Sequence, residues 1–93
     1  MKRLSGMDNW QKVIELPTPF EAGGARYQVV VEGTGPRQDG TWAGRIVFRG
    51  SGVDRVTGQE TTQPGRGALE YWATGLETIY LEGAFKRAGV TAR

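Results

Sequence analysis

The clearest alternation in the chain runs from Arg26 to Gly33. Tyr27, Val29 and Val31 share one side of an extended backbone there, and Arg26, Gln28, Val30 and Glu32 share the other. Thr41 to Arg49 answers it, with Trp42, Gly44, Ile46 and Phe48 on one side and Ala43, Arg45, Val47 and Arg49 on the other. The polar connection between them closes on Asp39-Gly40, a strong turn pair. The two segments are therefore predicted to form a hairpin with an apolar core face and a mixed, arginine-bearing face. Trp10 to Leu16 also alternates, placing Trp10, Lys12, Ile14 and Leu16 together and Gln11, Val13 and Glu15 opposite. Pro17 and Pro19 prevent continuous pairing through Phe20, which points to an edge position for this first strand or to an extended exit from it. Glu21-Ala22-Gly23-Gly24 reads as a turn, and Gly50-Ser51-Gly52 as a break. Beyond it, Val53 to Thr62 is weakly patterned: either a short hairpin about Thr57-Gly58 or a brief fourth strand.

The period changes in the last third. Leu69, Trp72, Leu76, Ile79 and Gly83 follow the three-then-four spacing of one helix face, widened by Tyr80. Thr61, Thr62 and Pro64 are starting signals, and Lys86, Arg87 and a left-handed Gly89 are ending signals. Gly65, Gly67, Gly75 and Gly83 each cost a helix up to about 1 kcal/mol relative to alanine. The element can therefore split at Gly75, with Glu77 and Thr78 opening a second helix. A period of two also fits Thr78 to Phe85, but the helix is preferred because the stretch ends on Lys-Arg and is poor in β-branched residues. The expected fold is α+β: an antiparallel meander of three to four strands, then a C-terminal helix, kinked or split near Gly75, packed on one face. A single domain is expected over 10–89, with flexible ends at 1–9 and 90–93.

Composition narrows the chemistry more than it identifies it. Cysteine is absent, which removes disulfides, thiolate metal sites and thiol catalysis; histidine is absent too, and with it the commonest general base and zinc ligand. The only serines, Ser5 and Ser51, lie outside any Gly-x-Ser-x-Gly context. Glycines pair at 33/35, 50/52 and 65/67, and Gly65-Arg66-Gly67 at a helix start resembles a phosphate cradle. Position 55, where a dinucleotide motif would need its third glycine, is arginine, and no Gly-Lys-Ser/Thr follows any glycine, so turns account for these pairs better. Glu70 and Glu77 lie seven apart on one helix face and are read as solvated rather than as an acid/base pair or cation site. No cofactor, no metal and no enzymatic activity are expected.

Two surfaces remain as candidates. Nine of the twelve basic residues are arginine, and Arg26, Arg45 and Arg49 fall on the non-core face of adjacent strands, with Arg37 and Arg55 in flanking loops. A sheet face of that kind can hold single-stranded nucleic acid, although the clearest aromatics fall on the opposite side and the net charge is only +2. The other candidate is the helix, where Tyr71, Leu81 and Phe85 lie off the main stripe. They indicate either a homodimer or protein interface, or a kinked helix pair that buries them within one chain. No run is apolar enough to cross a membrane, and the basic start lacks the apolar core of a secretory signal, so a cytoplasmic location is expected. The reading favoured is a small non-enzymatic module that self-associates or binds a protein partner, with single-stranded nucleic-acid binding as the alternative.

Overall fold

The computed structural model describes residues 9–92. Its elements are β1 (Gln11–Glu15), β2 (Phe20–Ala22), β3 (Ala25–Gly33), β4 (Trp42–Arg49), β5 (Val53–Val56), β6 (Thr61–Gln63), α1 (Arg66–Thr74), α2 (Thr78–Arg87) and β7 (Gly89–Ala92). The hairpin read from the two alternating segments is its centre: β3 and β4 are antiparallel, with Val29 opposite Phe48, Val31 opposite Ile46 and Gly33 opposite Gly44. β1 and β2 lie end to end along the outer side of β3, and β5 and β6 do the same along β4, with β7 outside β5. The result is an α+β fold, an antiparallel sheet with two helices near the C-terminal end.

Four of the seven strands, β2, β5, β6 and β7, have only three or four residues, too few for an alternation to register. Consequently β7 went unread in the stretch expected to be a loose end at 90–93: Val90 pairs with Arg55 and Thr91 with Asp54, while residue 93 lies outside the described residues. Of the segment 1–9, residues 1–8 lie outside the described residues. Thr61 and Thr62 build β6 instead of capping a helix, whose N-cap is Gly65. Between β2 and β3, Gly23 and Gly24 take φ of +58° and +80°, the mirror-image turn that matches strand twist and that glycine adopts without strain.

A bulge reorders the first strand. Lys12 pairs with Glu32 but Ile14 with Val31, so Val13 is an extra residue and strict alternation fails. Val13 and Leu16 join the core and Ile14 packs against it, while Lys12 and Glu15 meet on the outer face as an ion pair at 3.3 Å. Two threonines keep the ladder closed where β4's partners change. Thr34 N–H donates to the Ala43 carbonyl and Thr34 Oγ1 accepts from Ala43 N–H, both at 3.1 Å. Thr57 repeats this against Ile46, at 3.0 and 2.9 Å, and each hydroxyl donates a hydrogen bond to the carbonyl of the next glycine. In both places a hydroxyl stands in for a missing backbone rung.

The helical stretch divides at Gly75, as its glycine permits, and the division changes which residues are buried. Leu69, Trp72, Ala73 and Leu76 are spaced as one helical face, and Leu81, Ala84, Phe85 and Ala88 as another; all eight belong to the core or pack on it. On one unbroken helix Leu81 would stand about 120° around the axis from Leu69. The elbow removes that offset. It also corrects the single-stripe reading at Ile79, which is 77% exposed. Gly89 is no left-handed cap: α2 ends at Ala88 in an extended conformation and runs straight into β7. The main core therefore lies between the helices and the face of Val29, Val31, Ile46 and Phe48. On the opposite face, Ala43, Val30 and Val47 are at most 2% exposed, so the centre of that face is also closed.

Candidate functional site

Pro17 and Pro19 open a broad concavity beside the helices. Leu16 N–H still donates to the Val29 carbonyl at 2.9 Å, after which the prolines lift the chain off β3 until Phe20 rejoins opposite Tyr27. The lifted segment forms one wall of an open groove of about 1040 Å³; the α1–α2 elbow and the first turns of α2 form the other. Ile14, Leu16, Phe20, Leu76 and Leu81 give it an apolar lining, and Glu21, Arg26, Glu77 and Glu82 line it as well. Arg26 is engaged by Glu21 at 2.9 Å, whereas Glu77 and Glu82 have no ion pair with any described residue. The groove thus combines apolar surface with two carboxylates lacking a cation of their own.

The five arginines singled out from the sequence do not all lie on one face. Arg26, Arg45 and Arg49 share the outer face, and each has an acidic neighbour there: Glu21 at 2.9 Å, Glu32 at 2.8 Å and Asp54 at 3.9 Å. Arg45 in addition lies over the Trp10 ring, 4.4 Å from its centroid, so its guanidinium is sandwiched between an aromatic face and a carboxylate. Arg37 is in the 33–40 loop within 3.5 Å of Gln59. Arg55 is not in a loop. It lies in β5 opposite Phe48, on the helix side, 4.7 Å from the centroid of Phe85.

Of the proposed interface residues, only Tyr71 is free, at 82% exposed. Leu81 is buried, and Phe85 completes an aromatic cluster with Phe20, Tyr27 and Phe48 at centroid distances of 5.1–5.2 Å. The elbow buries both within one chain. Glu70 pairs with Arg66 at 3.2 Å, which ties it into α1 rather than to Glu77. Arg66 also reaches back to the Val13 carbonyl at 3.4 Å, so the side chain in the Gly65-Arg66-Gly67 turn is directed at its own protein.

Sequence reading missed one polar cluster. Glu60 accepts from Tyr80 Oη at 2.6 Å and from Arg87 at 2.6 Å, and its carboxylate is nearly buried. Burial of the ring, followed by the hydrogen bond to Glu60, raises the Tyr80 phenol above its ordinary value; the same carboxylate raises Arg87. The cluster clamps α2 to the β5–β6 connection. Tyr80 and Arg87 are seven apart on one helix face, a visible signal, but nothing in the weak stretch around Glu60 identified their partner.

Among the described residues, no group of His, Cys, Asp or Glu is arranged to hold a metal ion, and no helix is long and apolar enough to cross a membrane. Compared with known proteins, the chain matches no family model, no curated protein and no solved structure.

Proposed function

We propose that this protein is a small non-enzymatic binding module of the cytoplasm that holds a segment of a protein partner in the groove at the helix elbow. The observation that carries this reading is the apolar lining of Ile14, Leu16, Phe20, Leu76 and Leu81 beside the uncompensated Glu77 and Glu82. Such a site favours a segment with an aliphatic or aromatic anchor flanked by Lys or Arg: burial of the anchor supplies affinity, and the carboxylates supply orientation and on-rate. The absence of cysteine and histidine supports a binding rather than a catalytic role.

Backbone chemistry favours side-chain anchoring over strand addition. Pro17 and Pro19 have no N–H to offer, and Arg66 already engages the Val13 carbonyl. The test is an NMR titration of the isotope-labelled chain with short peptides carrying Leu or Phe anchors flanked by Lys, against the same peptides flanked by Glu. Amide shifts around Leu16–Phe20 and Ala73–Glu82 are expected with the basic set, and are expected to be lost in the Glu77→Lys/Glu82→Lys variant. No groove shifts with either set at millimolar peptide overturns the reading. A second reading, single-stranded nucleic acid on the outer face, draws its support from the common placement of Arg26, Arg45 and Arg49.

A further inference from the structure

We infer that β7 is a pairing edge for a second copy of this chain. The two outer edges of the sheet are built differently. At β1, the Val13 bulge breaks the ladder, Lys12 and Glu15 are exposed, Arg66 engages the Val13 carbonyl, and Pro17 and Pro19 follow. Those are the devices by which natural sheets block edge-to-edge pairing. At the other edge, β7 is Gly89-Val90-Thr91-Ala92, with no charge, no proline and no bulge, and its far side has no strand among the described residues.

The side chains beside that edge add an apolar strip. Val53 and Arg55 share a face of β5, and Val90 lies opposite Arg55 on the same face. Val90 is 62% and Val53 39% exposed, two of the few large apolar side chains left in solvent. Antiparallel pairing of β7 with its own copy about a two-fold axis sets each residue against its mirror position in the strand, and only the residue on the axis against itself. In the register centred on Val90, the two valines meet on one face as a favourable apolar pair, Thr91 lies opposite Gly89 on the other, and no like charges of β7 oppose each other. Arg87, the nearest arginine before β7 in the chain, is drawn to Glu60 at 2.6 Å. A ladder of four residues a side falls short of the roughly 1,000 Å² that marks a stable interface, so the association is weak and concentration-dependent.

Sedimentation equilibrium of the full chain from about 10 μM to about 1 mM tests this, since weak interfaces populate over that range. The average mass is expected to rise from one chain toward two. Concentration-dependent amide shifts are expected at 89–92 and 53–56. Val90→Lys and Thr91→Lys, substitutions at exposed positions on opposite faces of the strand, are each expected to weaken association at least tenfold while leaving the melting temperature of dilute protein unchanged. Glu82→Lys, in the groove, is expected to leave association intact, so this inference and the groove reading fail separately. A monomeric mass at the highest concentration, a dimer indifferent to both lysines, or shifts centred on the elbow overturns it.

Discussion

Leu69 and Gly44 meet with no room for a methyl group between them: a β-carbon at position 44 would stand 2.6 Å from Leu69 Cδ1. Gly33, opposite Gly44 in the ladder, leaves the same kind of gap, 2.8 Å from Leu69 Cδ2. The paired glycines form a saddle in which a wholly buried leucine of α1 rests on sheet backbone. Gly44→Ala is expected to cost about 1–3 kcal/mol, the usual penalty of overpacking a full site. Adding Leu69→Val is expected to cost less than the sum of the two single changes, because the smaller side chain yields the space. Urea unfolding of both single variants and the double checks it; strict additivity would mean that the contact does not set how α1 seats.

Thr57 is buried because its hydroxyl completes a ladder, receiving Ile46 N–H at 2.9 Å. Thr57→Val keeps the shape and orphans that donor, so it is expected to destabilise by about 1–3 kcal/mol, whereas Thr57→Ser keeps the bond and costs less. Hydrogen exchange should quicken at Ile46 in the valine variant alone.

The Tyr80–Glu60–Arg87 cluster makes a pH prediction. Folding holds the Tyr80 phenol protonated beyond the pH at which the unfolded chain loses that proton, about 10. This contribution is complete below the unfolded value and drains away as pH climbs through the raised, folded one. Stability is therefore expected to fall at strongly alkaline pH. Ultraviolet titration of the phenols should show one late component, which moves earlier in Glu60→Gln.

The outer face makes a prediction about salt. Arg45 is paired with the mostly buried Glu32 and packed on Trp10, so Arg45→Glu sets two carboxylates together and is expected to destabilise the fold. Arg49, half exposed and 3.9 Å from Asp54, is the cleaner probe. Because each arginine of this face already has an acidic neighbour, an anisotropy titration with a labelled single-stranded oligonucleotide is expected to show weak binding and a shallow salt slope. Micromolar affinity that Arg49→Glu abolishes would instead promote the nucleic-acid reading over the groove.

Much of this fold is written in local pattern. The alternation at 26–33 and 41–49 identified β3, β4 and their core faces, and Asp39-Gly40 the turn between them, where Asp39 Oδ1 accepts from Thr41 N–H at 3.0 Å. The glycine at 75, with Glu77 and Thr78 after it, marked where one helix ends and another begins. These features were legible because each depends on neighbours a few positions apart.

The tertiary structure decided what depends on distant partners. The Val13 bulge is a mismatch between two strands, invisible in either alone. The strand at 89–92 exists because β5 is there to receive it, and Leu81 and Phe85 are interior because the elbow turns the second helix face toward the sheet. The groove is legible in no local stretch either: its walls, Pro17–Pro19 and Ala73–Glu82, are far apart in the chain and meet only when the helices fold back. Periodicity records which way a side chain points along one element. It carries no information about which remote element arrives opposite, and that arrival fixed the faces, the edges and the cavity of this protein.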